Sequence, residues 1–262
     1  MRRVILHSSF FQPHYPSPVT FLCLLFGLCL SLIARTSLAE QQGEPSPEQV
    51  ARLVIALTNE FRAQEGRGKV EVNARLMEAS RYFAEYMART RQLSHGADGS
   101  DPAIRARRHG YDYCVVSENI AYRYSSAGFT VRELAHGLVE GWKQSPGHRK
   151  NLLDNNVTET GAAVARGSRA GYYYAAQMFG RPASEAIRFS IANRSNVTIR
   201  YRVGGTAFTL VPRQTRTHQQ CRIDELKISW AGKQRETTVK PKDGDRYAIA
   251  RTDSGGLSLK SE

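Results

Sequence analysis

From Ser46 onward apolar residues recur at helical spacing through several stretches, and toward the C-terminus they alternate with polar residues at period two. Ser46-Pro47-Glu48-Gln49 opens a helix, with Ser46 as cap, Pro47 at the first helical position and Gln49 reaching back. Val50, Leu53, Val54, Leu57 and Phe61 form its apolar stripe and Gly66 ends it. Asn73 caps a second helix that buries Leu76, Ala79, Phe83 and Met87 and turns Arg75, Glu78, Arg81, Glu85 and Arg89 to water. After a Gly/Ser/Asp loop from Ser94 to Asp101 comes a short helix, Pro102 to Arg108, closed by Gly110. Tyr113 to Tyr122 reads as extended, interrupted at Ser117-Glu118-Asn119. Thr130-Val131-Arg132-Glu133 is a capping box for a helix burying Val131, Leu134, Leu138 and Trp142, and Ser145-Pro146 caps and starts the next.

Gly161 to Ala165 and Tyr172 to Phe179 read as two strands of an antiparallel hairpin joined by the turn RGSRAG, with Tyr172, Tyr173 and Tyr174 at a strand end rather than on a sugar platform. Early helices and a late hairpin predict a sheet covered by helices, over residues 47–181. Within residues 185–262 the stretches AIRFSIANRSNVTIRYRVGGTAFTLVP, ELKISW and DRYAIAR alternate at period two, broken by turns such as Gly204-Gly205 and Asp243-Gly244, which predicts a separate small all-β domain.

The first 39 residues read as a signal peptide: Arg2 and Arg3 precede the apolar run Val19 to Ala34, and Ser37-Leu38-Ala39 is a small-x-small cleavage site. Residues 40–46 are a polar lead, and no later stretch is long and apolar enough to span a bilayer. The expectation is a secreted or periplasmic mature chain. It keeps two cysteines, Cys114 and Cys221, which in an oxidising compartment either bridge or remain buried thiols.

The net charge is +13, and residues 181–262 hold 16 Lys+Arg against 8 Asp+Glu. Such an excess suits an anionic envelope surface. The basic residues are scattered rather than grouped in a run, and export argues against nucleic acid, so no nucleic-acid partner is expected.

The candidates for chemistry are His95, Glu118 and His148, each beside glycine or a small polar residue. Two imidazoles and a carboxylate suit a divalent metal such as zinc with an open position, or acid–base work at a cleft. Their spacings match no local metal motif, so only spatial convergence makes them a site. There is no G-x-S-x-G elbow, and Ser145 is read as a cap rather than a nucleophile. Asp98 and Asp101 do not have EF-hand spacing, and Ser100 or Asp101 is read as a helix cap.

The ordered motifs NEFRAQEG, LSHGADGSDPAIRARRHGY, SENIAY, VEGWKQSPGHRKNLLD, TETG and YYYAAQMFG resemble the bacterial branch of the CAP superfamily, which groups cysteine-rich secretory proteins, antigen 5 and plant pathogenesis-related proteins. The resemblance implies an α+β fold: a three-layer α-β-α sandwich with a central antiparallel sheet and a groove, here followed by the small all-β domain. It also implies a cavity holding His95, Glu118 and His148, metal-occupied in relatives. Ser145 stands where many eukaryotic relatives carry a second glutamate, and Glu159 and Gly161 match a structural TE-x-G motif. The expected function is binding of a lipidic or extended ligand in the groove. The alternatives are a metal-dependent hydrolase of envelope peptides or peptidoglycan with Glu118 as general base, and a structural or adhesive envelope protein. The partner class is accordingly a lipid, peptide or cell-wall ligand.

Overall fold

The computed structural model describes residues 44–222, 224–230 and 236–262, so the expected signal peptide, with Cys23 and Cys29, and residues 40–43 lie outside the described residues. The apolar stripe of α1 (Pro47–Gln64) is buried through Val50, Val54 and Phe61, and the Ser46 hydroxyl accepts from the Gln49 amide. Asn73 caps α2 (Ala74–Thr90) by accepting from the amides of Arg75 and Leu76, and Asp101 caps α3 (Pro102–Arg108) through the Ile104 amide. The capping box of α4 (Val131–Gln144) is complete. Ser145 does not cap as expected: its side chain makes no capping hydrogen bond to α5 (Pro146–Leu152). The two helices abut at this residue, so its backbone does the joining: its amide donates to Trp142 and its carbonyl accepts from Arg149.

Four strands form the first sheet: β1 (Glu71–Val72), β2 (Tyr113–Tyr124), β3 (Glu159–Arg166) and β4 (Tyr172–Pro182), in the order β1-β3-β4-β2. The β3/β4 hairpin is antiparallel as expected, and so is β2 with β4. The sheet is not antiparallel throughout, because two-residue β1 lies parallel to β3 at one edge. Nor is β2 interrupted at Ser117-Glu118-Asn119; its irregularity falls between Tyr113 and Val115. The polar side chains at 118 and 119 have partners of their own, so the ladder runs through them.

Alternation along the strands sorts the sheet into two faces. Ala162, Val164, Tyr173, Ala175 and Phe179 pack on α1 and α4, whereas Ile120, Ala163, Ala165, Tyr174 and Ala176 pack on α2. This is a three-layer α-β-α sandwich. Gly161 sets the spacing of one interface: a Cβ there would lie 2.2 Å from backbone atoms of Leu76 and Met77, so only glycine lets α2 sit this close to β3. Glu159 accepts from the Tyr111 hydroxyl at 2.6 Å and from the Asn73 amide at 3.1 Å, tying the helix start to the sheet.

The later region is all β. One four-stranded sheet has the order β10-β9-β6-β7 and the other β12-β11-β5-β8, built from β5 (Ile187–Asn193), β6 (Ile199–Val203), β7 (Thr206–Leu210), β8 (Thr215–Gln220), β9 (Leu226–Ser229), β10 (Glu236–Val239), β11 (Arg246–Arg251) and β12 (Leu257–Ser261). Their inward residues, among them Phe189, Ile191, Tyr201, Val203, Ile228 and Ile249, make a core of their own. A disulfide joins Cys114 on β2 to Cys221 just after β8, and Arg222 reaches Asp154 at 3.3 Å, so Glu44–Glu262 holds together as one unit.

His218 is buried in this second core, stacked on Phe189 and bonded through Nε2 to the Tyr201 hydroxyl at 2.8 Å. Burial, and then the Arg216 charge, push its pKa below the usual histidine value. The unfolded chain therefore takes up this proton before the folded chain does. Stability is fully present above the unfolded pKa of about 6.5 and falls as pH drops below it toward the folded pKa. Chemical denaturation between about pH 7.5 and 5.5 should show this decline, and His218→Gln should flatten it. An equal slope in the variant would place the dependence elsewhere.

Candidate functional site

β2 is an edge strand, and the sequence-predicted residues converge beside its free edge. Glu118 lies on β2, His95 in the loop after α2 and His148 in α5. Their assembly depends on Arg105, which the sequence reading passed over as one of several arginines in α3. The Arg105 guanidinium is fully buried, 3.5 Å from the centre of the Phe83 ring. Its Nη2 donates to both carboxylate oxygens of Glu118, at 2.8 and 2.9 Å, and to the His95 carbonyl at 2.9 Å. Its Nη1 donates to Asp98 Oδ1 at 2.8 Å and to the Ser100 carbonyl at 2.9 Å. Asp98 is thereby an anchor for Arg105 rather than a calcium ligand. The Ser100 contacts and the Arg105 charge hold its carboxyl below the usual aspartate pKa despite burial.

Glu118 has no solvent-exposed side-chain surface. Besides Arg105 it meets one other group, His95 Nδ1, at 2.8 Å. The carboxylate accordingly fixes the ring orientation of His95, which is half exposed. Nε2 is left as the ring nitrogen free of hydrogen bonds among the described residues.

His148 is carried by α5, which is stitched to the edge of β2 by amides. Asn119 Nδ2 donates to the His148 carbonyl at 3.2 Å, and Asn151 Nδ2 donates to the Glu118 carbonyl at 3.1 Å and to Asn119 Oδ1 at 2.9 Å. Arg62, buried in the last turn of α1, fastens the other end of α5 by donating to the Leu152 and Asp154 carbonyls. These contacts satisfy carbonyls that a short helix leaves unpaired at its end. The rings of His95 and His148 stand 6.4 Å apart, centre to centre. Burial, and then the proximity of His95, push the His148 pKa below the usual histidine value, which favours the neutral imidazole and its lone pair.

Chemically, the site is two imidazoles over one buried carboxylate that shares the charge of a single arginine with Asp98. Among the described residues, no group of three or more His, Cys, Asp or Glu side chains is arranged to hold a metal ion. Glu118 fits a metal site behind His95, as the carboxylate that orients a ligating imidazole. It does not stand open beside the histidines as a third ligand, because its side chain is wholly buried with Arg105 across both oxygens and His95 on one. Ser145 supplies no carboxylate where the family pattern places one.

The sequence is similar over this region to known proteins. Residues 55–179 match the model of CAP, the cysteine-rich secretory protein family. YlbC, an uncharacterized membrane protein of Bacillus subtilis (strain 168), is 27% identical over 136 residues, which is 52% of this chain and 37% of that protein's length. The chain thus spans well under half of that curated relative. Among solved structures, an outer surface protein from Borrelia burgdorferi gives a TM-score of 0.46 at 16% identity, covering 54% of this chain and 98% of that chain. An extracellular protein containing an SCP domain from Bacillus anthracis str. Ames gives 0.42 at 22% identity, covering 52% and 41%. Among the described residues no helix is long and apolar enough to cross a membrane.

Proposed function

We propose that this chain, which carries a CAP domain at residues 55–179, is an exported binding protein whose cleft offers His95 and His148 to a lipidic or extended envelope ligand. The observation that carries the reading is the commitment of Glu118. Its carboxylate is fully buried, forked by Arg105 and hydrogen-bonded to His95. A general base needs an available lone pair within reach of a substrate proton, and Glu118 spends its own on holding the histidine. The disulfide favours export, since such bonds persist in oxidising compartments. The positive excess of residues 181–262 suits an anionic envelope surface.

A divalent cation such as zinc would be held by His95 and His148, with Glu118 orienting the first, which the His95 Nδ1–Glu118 contact and the 6.4 Å separation of the two rings support. When bound it would supply a Lewis-acidic anchor for an oxygen of the ligand. The chain's own part is to hold His95 Nδ1–H on Glu118 and to keep His148 neutral.

Native mass spectrometry of the mature chain, titrated with zinc and with a mixed phospholipid extract, tests the reading. One zinc per chain is expected for the native sequence and none for His148→Ala. Glu118→Gln should weaken zinc by about 10–100-fold without abolishing it, while lipid association persists. Complete loss of zinc in Glu118→Gln alone would make that residue a ligand and overturn the arrangement. Turnover of peptidoglycan fragments that disappears in Glu118→Gln, with folding intact, would replace the binding reading by the hydrolase.

A further inference from the structure

Past the histidine cleft, β2 and β4 run on to an end where four tyrosines share one face. Tyr122 pairs with Tyr174 and Tyr124 with Tyr172 across the ladder. Ring centres lie 4.5 Å apart for Tyr124 and Tyr172, 6.1 Å for Tyr122 and Tyr172, and 5.9 Å for Tyr122 and Tyr174. Tyr122 is 49% exposed and Tyr124 53%. Among the described residues no hydrogen bond engages any of the four hydroxyls. Tyr174 belongs to the core on the α2 side and Tyr172 packs against it, whereas Tyr122 and Tyr124 carry the cluster out into the open, an exposed aromatic surface that core packing does not require.

A cavity of about 230 Å³ opens beside them, lined chiefly by Arg91, Leu93, Tyr122, Arg169, Tyr172 and Tyr174. No carboxylate lines it, so the two guanidiniums give it a positive field. Both arginines also act on the Tyr174 phenol, opposing the rise that burial imposes on it. Arg91 occupies the left-handed position at the end of α2, with φ of 59°, where glycine is the unstrained choice. Its side chain is thereby set beside the cavity on a backbone that charge alone does not require. Arg169 comes from the tight turn between β3 and β4, where a Cβ on Gly171 would strike the Ser125 carbonyl at 2.3 Å.

The ligand chemistry follows from these walls. Of the rings that line the cavity, Tyr122 inclines to Tyr172 by 30° and to Tyr174 by 35°, making a shallow curved floor rather than a parallel slot for a flat aromatic ring. Leu93 is the sole aliphatic side chain among the lining residues, too little to hold an acyl chain. A pyranose presents the matching surface: an apolar C–H face for the rings and equatorial hydroxyls for the phenol tips. Two arginines add a place for an anionic substituent.

We propose that this tyrosine cavity binds an anionic saccharide, with one sugar ring stacked on Tyr122 and Tyr172 and its carboxylate or phosphate held between Arg91 and Arg169. The residues involved are not those of the histidine cleft, so the proposal stands independently of the function proposed above.

Isothermal titration of the mature chain with a galacturonate tetrasaccharide, its carboxyl-reduced neutral counterpart and a phosphorylated mannose oligosaccharide tests it. At least one acidic probe should bind about tenfold or more tighter than the neutral one; which of the two does so identifies the acidic group. Arg169→Gln should abolish that preference and leave neutral binding unchanged. Tyr122→Ala should weaken acidic and neutral probes alike by about tenfold. Arg91→Gly should keep or raise the melting temperature while weakening the acidic probe, which separates binding from folding. His148→Ala should leave all three titrations as they are. Equal affinity for acidic and neutral probes, no binding of any probe at millimolar concentration, or acidic binding that survives both arginine substitutions would overturn the assignment.

Discussion

Replacing Arg105 with methionine is expected to destabilise the folded chain by about 3–5 kcal/mol. The substitution keeps an unbranched side chain against Phe83 but removes the only cation that touches both Asp98 and Glu118 among the described residues. Two buried carboxylates then lose the counter-charge they share, and Asp98 keeps only its Ser100 contacts and Glu118 only its contact with His95. An exposed pair such as Arg81 with Glu78 offers the contrast, since both members keep most of their hydration and the pair contributes about 0–1 kcal/mol. Guanidinium denaturation of the Arg105 variant measures the difference. A loss under about 1 kcal/mol would mean that water reaches these carboxylates in the native state. Adding Glu118→Gln to the Arg105 variant should recover part of the loss by removing one of the stranded charges, and the double-mutant cycle gives the size of their coupling.

Changing Cys114 and Cys221 together to serine should lower stability by up to about 4.7 kcal/mol in the chain-entropy account of a loop of this order. The two residues are 107 positions apart, so the bond closes a long loop and removes much freedom from the unfolded chain. The native geometry should change little, because Cys221 already packs against the large core under α1 and α4. Denaturation of the native chain with and without reductant, beside the double variant, isolates the effect. Coincident curves for all three would contradict it, as would an intact mass that does not rise by two hydrogens on reduction.

The three longer helices, α1, α2 and α4, were legible because each announces itself twice, once by its apolar stripe and once by its cap. Thr130 with Glu133 and Asn73 both behave as their sequence contexts predict. Ser145 shows the limit of that code: the same Ser-Pro signal occurs where two helices meet at one residue, and the backbone leaves the hydroxyl no capping role. The break expected at Ser117-Glu118-Asn119 misjudged a polar run, which a strand tolerates when buried partners await it. His95, Glu118 and His148 were visible as residue types, but what holds them was not. α3 contains three arginines, of which Arg105 is enclosed while Ile104 beside it is 42% exposed. This inversion of the usual pattern appears only on folding; the local signal in the sequence, the apolar–polar pattern of the helix, would place Ile104 inside and Arg105 outside. It is weak, since a seven-residue helix is too short for a stripe to be read with assurance. The tyrosine cluster escaped the sequence for a different reason: Tyr172-Tyr173-Tyr174 reads as a strand end, whereas the cluster's members come from two strands and only their register makes them neighbours.

The amide stitching between α5 and β2 has a consequence for the life of the chain before it is finished. The carbonyls of Glu118 and Ile120 on the free edge are taken by Asn151 and by the Trp142 indole. Both donors come from segments that follow β2 in the chain. Until these have docked, a newly made molecule carries a twelve-residue strand with a bare side, the kind of edge that recruits another chain. The stretch from Trp142 to Asn151 therefore serves as a built-in guard against self-association, and losses there would be seen first as aggregated material and only afterwards as a damaged cleft.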